Sequence, residues 1–170
     1  MKDKNILVTG GLGFIGSHFI ELLYKECKNC KITIIDSYAY CVSEKTEDYL
    51  WDMYKKSSNK LDIIYVSISD FKLDKEYDYI VNFAAESHVD NSITCGDVFI
   101  DSNYVGVYEL LKQLPDTTRF LQVGTDEVYG SLQLNSDPSE EYSLLEPSSI
   151  YSATKAGADL LALSLSLIHI

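Results

Sequence analysis

Between a short apolar run and a stretch of helical periodicity lies a glycine-spaced turn, Thr9-Gly10-Gly11-Leu12-Gly13-Phe14-Ile15-Gly16, and few folds accommodate one there. Residues 5–9 (NILVT) suit a buried parallel strand. Residues 14–26 then place Phe14, Ile15, Phe19, Ile20, Leu22 and Leu23 at helical spacing. Gly10, Gly13 and Gly16 follow G-x-x-G-x-x-G, a pattern that permits a tight turn, close approach of backbone to a ligand and close helix–strand packing. A helix that opens directly from such a turn offers unpaired N–H groups and a partial positive charge. The turn therefore predicts a site for an anionic group such as a pyrophosphate.

The rest of the chain continues the alternation. Apolar runs at 31–35, 61–68, 79–84 and 120–123 read as strands; 43–58, 98–114 and a stretch beginning near Ser148 read as helices, the second stopped by Pro115. Residues 131–149, with Pro138 and Pro147, read as a long loop, and the connection from Asp70 to Asp78 is short for a crossover helix. Strands alternating with helices imply an α/β fold, a Rossmann-type doubly wound parallel sheet with right-handed crossovers. Residues 1–163 form one domain. From Leu163 the pattern Leu-Ser-Leu-Ser-Leu alternates with period two, so residues 164–170 are expected to be a non-native tail. On that view the sheet stops before a C-terminal substrate domain and leaves an uncovered edge.

The formal net charge of -12 argues against nucleic-acid or anionic-membrane partners, and any bound anion has to be held by backbone amides. No run of about 18 apolar residues suggests a membrane span, and the first residues lack a signal-peptide core, so a cytoplasmic location is expected. Of Cys27, Cys30, Cys41 and Cys95, the first two form a C-x-x-C without a second ligand pair nearby. No metal is expected, and the pair reads as two thiols at the end of a surface helix. Asp36 closes the second strand twenty positions after Gly16. A carboxylate there accepts bonds from ribose hydroxyls and repels a 2′-phosphate, which predicts NAD rather than NADP.

Tyr151-Ser152-Ala153-Thr154-Lys155 is Y-x-x-x-K, placing phenol and ammonium on one helix face. A nearby ammonium is expected to lower the phenol's pKa and make it a base. The glycine turn with Tyr151 and Lys155 resembles the extended short-chain dehydrogenase/reductases, the NAD-dependent epimerase/dehydratase family. Residues 82–90, Asn103-Tyr104-Val105-Gly106 and residues 125–130 (TDEVYG) resemble the dTDP-glucose 4,6-dehydratases within it.

That resemblance implies roles. Gly10, Gly13, Phe14, Ile15, Gly16, Asp36, Ile68, Ala84, Ala85, Tyr151 and Lys155 would bind NAD, and Glu86, Ser87 and His88 would face a nucleotide-sugar substrate. Tyr151 would take the sugar C4 hydroxyl proton, Glu127 the C5 proton, and Asp126 would protonate the leaving C6 hydroxyl. Elimination of water by that pair requires one protonated and one ionised carboxyl. Thr125 would bond the C4 oxygen, and Lys155 the nicotinamide ribose. Where the family has Asp-Ile against the adenine, this chain has Ser67-Ile68, so only the Ile68 contact carries over. The parent protein is expected to be a homodimer. Beside the dTDP-glucose reading stand another nucleotide-sugar 4,6-dehydratase or a UDP-sugar 4-epimerase, the latter with small neutral residues in place of Asp126 and Glu127, and, in a different class, a non-catalytic NAD-binding fragment.

Overall fold

A computed structural model describes residues 1–39 and 42–168, with side chains to residue 166. Five parallel strands form one sheet: β1 (Asn5–Thr9), β2 (Lys31–Asp36), β3 (Lys60–Tyr65), β4 (Tyr79–Asn82) and β5 (Arg119–Gln122), in the order β3-β2-β1-β4-β5. β1 is central, with Leu7 opposite Thr33 on one side and Ile80 on the other. Because successive strand residues face opposite sides, Ile6 and Val8 pack with Ile20, Leu23 and Leu50, while Leu7 packs with Ile80, Phe71 and Leu110. Both faces are covered, which is why the strands read as unbroken apolar runs.

The first helix, α1 (Phe14–Glu26), has the expected boundaries, but its buried face is Gly16, Ile20 and Leu23. Phe14, Ile15 and Leu22, read as part of the apolar stripe, are solvent-exposed. α2 (Glu44–Tyr54) packs against α1, and its Tyr54 hydroxyl donates to the Ile20 carbonyl at 3.1 Å. β3 is shorter than the 61–68 run because residues 66–68 leave the ladder. The crossover from β3 to β4 contains no helix; Phe71 and Tyr77 anchor it by burial.

A helix absent from the sequence reading, α3 (Val89–Thr94), precedes α4 (Gly96–Phe99), a π turn over Ile100–Val105, and α5 (Gly106–Leu111). The single helix expected over 98–114 is thus an α–π–α run. After β5, a 3₁₀ turn (Asp126–Tyr129) leads into the long loop, and α6 (Ile150–Ile168) follows. The helix runs through Ile168 despite the period-two alternation, with Leu161, Ala162 and Leu165 packed on Val107, Leu111 and Ala158.

Cys27 and Cys30 are buried rather than superficial, Cys95 is exposed, and Cys41 lies outside the described residues. Asn59, itself buried, ties the pair: its amide donates to the Cys27 carbonyl at 2.9 Å and its oxygen accepts from the Cys30 N–H at 2.9 Å. Asn59→Ala would strand two buried backbone groups. It is expected to lower the unfolding free energy by about 1–3 kcal/mol in urea titration, and an unchanged midpoint would contradict this role.

Candidate active site at the carboxyl ends of the strands

The chain crosses from one side of the sheet to the other between β1 and β4, and at such a switch point the strand ends diverge to leave a crevice. Gly10 forms its floor. With φ at +64°, it donates its N–H to the Ile35 carbonyl at 2.8 Å and accepts from the Gly13 N–H at 3.2 Å. A Cβ at this position would stand 2.7 Å from the Ala84 nitrogen, so no side chain fits without moving the opposite wall. Gly10, Gly13, Asp36, Ile68, Ala84, Ala85 and Glu86 all line this cleft.

Asp36 is buried and receives two backbone donors, Leu12 N–H at 3.0 Å on Oδ2 and Tyr38 N–H at 2.9 Å on Oδ1. Burial raises its pKa above the ordinary carboxylate value, and the two N–H bonds partly offset that rise. Each oxygen keeps a further lone pair for a ligand hydroxyl. No side chain caps the start of α1, and its first turn carries no acidic residue, so its amides stay available to an anion. The Phe14 and Ile15 side chains point to solvent, leaving only their backbone near the turn. These residues fit a dinucleotide: a glycine floor, uncapped amides and a carboxylate at the second strand's end.

A buried polar ladder fixes the strand ends. The Thr9 hydroxyl bonds to the Asn82 side-chain oxygen and accepts the Ala84 N–H at 3.1 Å, while the Asn82 amide donates to Gln122 at 2.8 Å. Asn103 clamps the cleft wall to α6. Its oxygen accepts the Glu86 N–H at 2.8 Å, and its amide donates to the Glu86 carbonyl at 3.0 Å and to the Thr154 hydroxyl at 3.1 Å. The sequence reading assigned Asn103 no role; the available signal was an amide at a buried position of an otherwise apolar helical face. Glu86 and Ser87 both line the cleft, Ser87 with much of its surface exposed, while His88 is exposed at the start of α3.

Beyond β5, Thr125 caps the 3₁₀ turn, its hydroxyl accepting the Glu127 N–H at 3.3 Å. Tyr151 sits beside it, largely buried, with its ring edge toward Phe99. Burial raises the Tyr151 pKa, a Thr125 hydrogen bond opposes that, and the nearby Glu127 and Asp126 carboxylates raise it further. Thr125, Asp126, Glu127 and Tyr151 therefore come together, the two carboxylates exposed and the phenol beneath them.

Lys155 does not act on the phenol as its spacing suggested. Its Nζ turns away to donate to the Val123 carbonyl at 2.6 Å, and burial lowers its own pKa against the pull of Asp159. The expected fall in the phenol's pKa is thus reversed, because desolvation exceeds the Thr125 hydrogen bond and the Glu127, Asp126 and Asp159 carboxylates push the same way as burial. Among the described residues, no His, Cys, Asp or Glu cluster could hold a metal ion, and no helix is long and apolar enough to cross a membrane.

Fold and site together define a doubly wound α/β protein with a nucleotide-type cleft and a tyrosine–carboxylate centre beside it. The family model described as GDP-mannose 4,6 dehydratase matches residues 7–166, and the chain belongs to that family. A dTDP-glucose 4,6-dehydratase from Mycolicibacterium smegmatis is 38% identical over 162 residues, covering 92% of this chain and 47% of the relative. The crystal structure of DesIV, a dTDP-glucose 4,6-dehydratase from Streptomyces venezuelae with NAD bound, superimposes with a TM-score of 0.83 at 38% identity, covering 96% of this chain and 52% of that one. A UDP-N-acetylglucosamine 4-epimerase from Methanobrevibacter ruminantium gives 0.82 at 29% identity, covering 98% and 52%. The chain spans about half the length of the relatives it matches.

The folded-state Tyr151 pKa lies above the ordinary value. Between those two pH values the unfolded chain releases its phenolic proton while the folded chain keeps it, so this group's contribution to stability is lost as pH rises through the window. Thr125→Val removes a donor to the phenolate. It is expected to raise the Tyr151 titration further, read by NMR of labelled tyrosine with Tyr151→Phe as the assignment control. Thr125→Ser is expected to titrate like the parent.

Proposed function

We propose that the chain is the cofactor-binding half of an NAD-dependent nucleotide-sugar 4,6-dehydratase that converts dTDP-glucose to dTDP-4-keto-6-deoxyglucose. The observation carrying this reading is the convergence of Thr125, Asp126, Glu127 and Tyr151 at the carboxyl end of β5, beside the cleft that Gly10 and Asp36 shape. NAD, when bound, supplies a hydride acceptor at C4 of the sugar and returns the hydride at C6.

The chain's own residues handle the protons. Tyr151 removes the proton from the C4 hydroxyl, and the Thr125 hydroxyl steadies the oxygen left behind. The C4 ketone acidifies the C5 hydrogen, which Glu127 takes and, after exchange with solvent, gives back to C5 once C6 is reduced. Asp126 gives its proton to the C6 hydroxyl, which leaves as water. Lys155 spends one donor on Val123 and keeps two for ribose hydroxyls. Asp36 accepts from the adenosine ribose, and its charge disfavours a 2′-phosphate. Glu86 and Ser87, which line the cleft, are assigned to the substrate; His88, exposed, would meet it with the rest of the parent protein in place.

An epimerase moves the C4 hydride and needs no acid–base pair for C5 and C6, so Asp126 and Glu127 favour dehydration. Activity belongs to the whole parent protein, since this chain matches about half the length of its relatives. In that protein, Asp126→Asn and Glu127→Gln are expected to cut water loss by about 10²–10⁴-fold while reduced nicotinamide still forms. Tyr151→Phe is expected to suppress both steps. Asp36→Ala is expected to weaken NAD and erase the preference over NADP in calorimetric titration. Normal dehydration by either carboxylate variant would defeat the assignment.

A further inference from the structure

Tyr151, Lys155 and Asp159 follow one another at intervals of four along α6, so the three side chains share one face of the helix. Three consecutive residues past the end of β5 each meet one of them. Thr125 reaches the Tyr151 phenol, the Val123 carbonyl accepts from Lys155 Nζ at 2.6 Å, and Gly124 faces the Asp159 carboxylate. We infer that Asp159 is a positioning residue, whose carboxylate, seated against Gly124, is the counter-charge that holds the buried Lys155 ammonium in place for ribose and phenol. The inference rests on the active-site reading above and adds to it a residue that reading left without a role.

The placement is set by close packing. A Cβ on Gly124 would stand 3.1 Å from Asp159 Oδ2 and 3.6 Å from Oδ1, so the carboxylate lies against the glycine with both oxygens. The carbonyl that holds Lys155 belongs to the residue just before, so ammonium and carboxylate sit on one short stretch of backbone. Among the described residues the two close no direct ion pair, and the carboxylate acts on the lysine through space. The other polar residues lining the recess beside Asp159 are Asp116, Thr118, Gln122 and Ser166, all neutral or acidic. Lys155 is the cation that answers its charge.

Lys155 needs such a partner because it is buried, and burial favours the neutral amine. Asp159 opposes that loss of charge, and the effect is mutual: burial raises the Asp159 pKa and Lys155 lowers it. The charges that act on Tyr151 are Glu127 and Asp126 from the 3₁₀ turn and Asp159 from α6, and Asp159 acts least of the three. Removing Asp159 therefore strikes the lysine before the phenol. A neutral Lys155 keeps two N–H groups, one of them spent on Val123, and has no charge with which to steady a phenolate.

The test is a pH titration of the full chain followed by NMR of carbon-labelled lysine and aspartate. Asp159→Asn keeps the shape and removes the charge; it is expected to bring the Lys155 midpoint down by about one pH unit or more. Asp159→Glu restores the charge and is expected to titrate near the parent. Reciprocally, Lys155→Met is expected to move the Asp159 midpoint up. That second measurement needs no substitution at 159, so a misfolded Asp159→Asn does not blunt the test. In calorimetric titration with NAD, the affinity of Asp159→Asn is expected to fall away at a lower pH than that of the parent chain. An unchanged Lys155 midpoint in Asp159→Asn, an unchanged Asp159 midpoint in Lys155→Met, or a loss of NAD affinity equal at every pH overturns the inference. Failure of the parent chain to bind NAD overturns the cofactor reading, while the two midpoints still decide the inference.

Discussion

The close approach of Gly10 to the backbone of Phe83 and Ala84 governs everything above it. It lets β1 turn back tightly at its carboxyl end while β4 runs alongside, and the crevice exists because both chains can occupy that space. The Thr9 hydroxyl, bridging Asn82 and the Ala84 N–H, holds the same junction with side-chain bonds in a fully buried setting, where broken bonds are most costly. A chain with a net charge of -12 is a poor general binder of anions. Local amide geometry at this turn is what makes a phosphate-bearing ligand compatible with it.

The catalytic side of the cleft depends on a second set of buried polar contacts. Asn103 links the Glu86 backbone to Thr154, and Thr154 bonds the Tyr151 carbonyl at 2.8 Å, so the cleft wall and the tyrosine helix are tied by continuous hydrogen bonds. Electrostatics around Tyr151 run opposite to the simple pairing of a phenol with an ammonium. Burial raises the phenol and lowers Lys155, and the lysine satisfies itself on Val123. The site therefore favours the protonated form of Tyr151, with a nearby donor in Thr125.

Much of this was legible in the sequence, for physical reasons that differ by residue. α1 was read to its boundaries because a glycine turn starts it and periodicity stops with it. Asp36 and the convergence of Asp126 and Glu127 with Tyr151 followed from strand ends, where parallel sheets gather their functional groups. Periodicity could not reveal that Val66–Ile68 leave the ladder to wall the cleft, since a buried wall is as apolar as a strand. The π turn was hidden too, because one extra residue per turn leaves composition unchanged. Spacing placed Lys155 on the same face as Tyr151 but could not tell which acceptor its flexible stem would reach. The alternation after Leu163 lost to helix because Leu161, Ala162 and Leu165 find apolar partners on one side.

The central claim is that a phenol and two carboxylates beside one dinucleotide cleft drive elimination of water from a hexose. Turnover of dTDP-glucose by the whole parent protein in deuterium oxide, with the product read by NMR, addresses it most directly. The account predicts a 4-keto-6-deoxy sugar with solvent deuterium at C5 and the original C4 hydrogen carried to C6. A sugar inverted at C4 with no deuterium on carbon would contradict it.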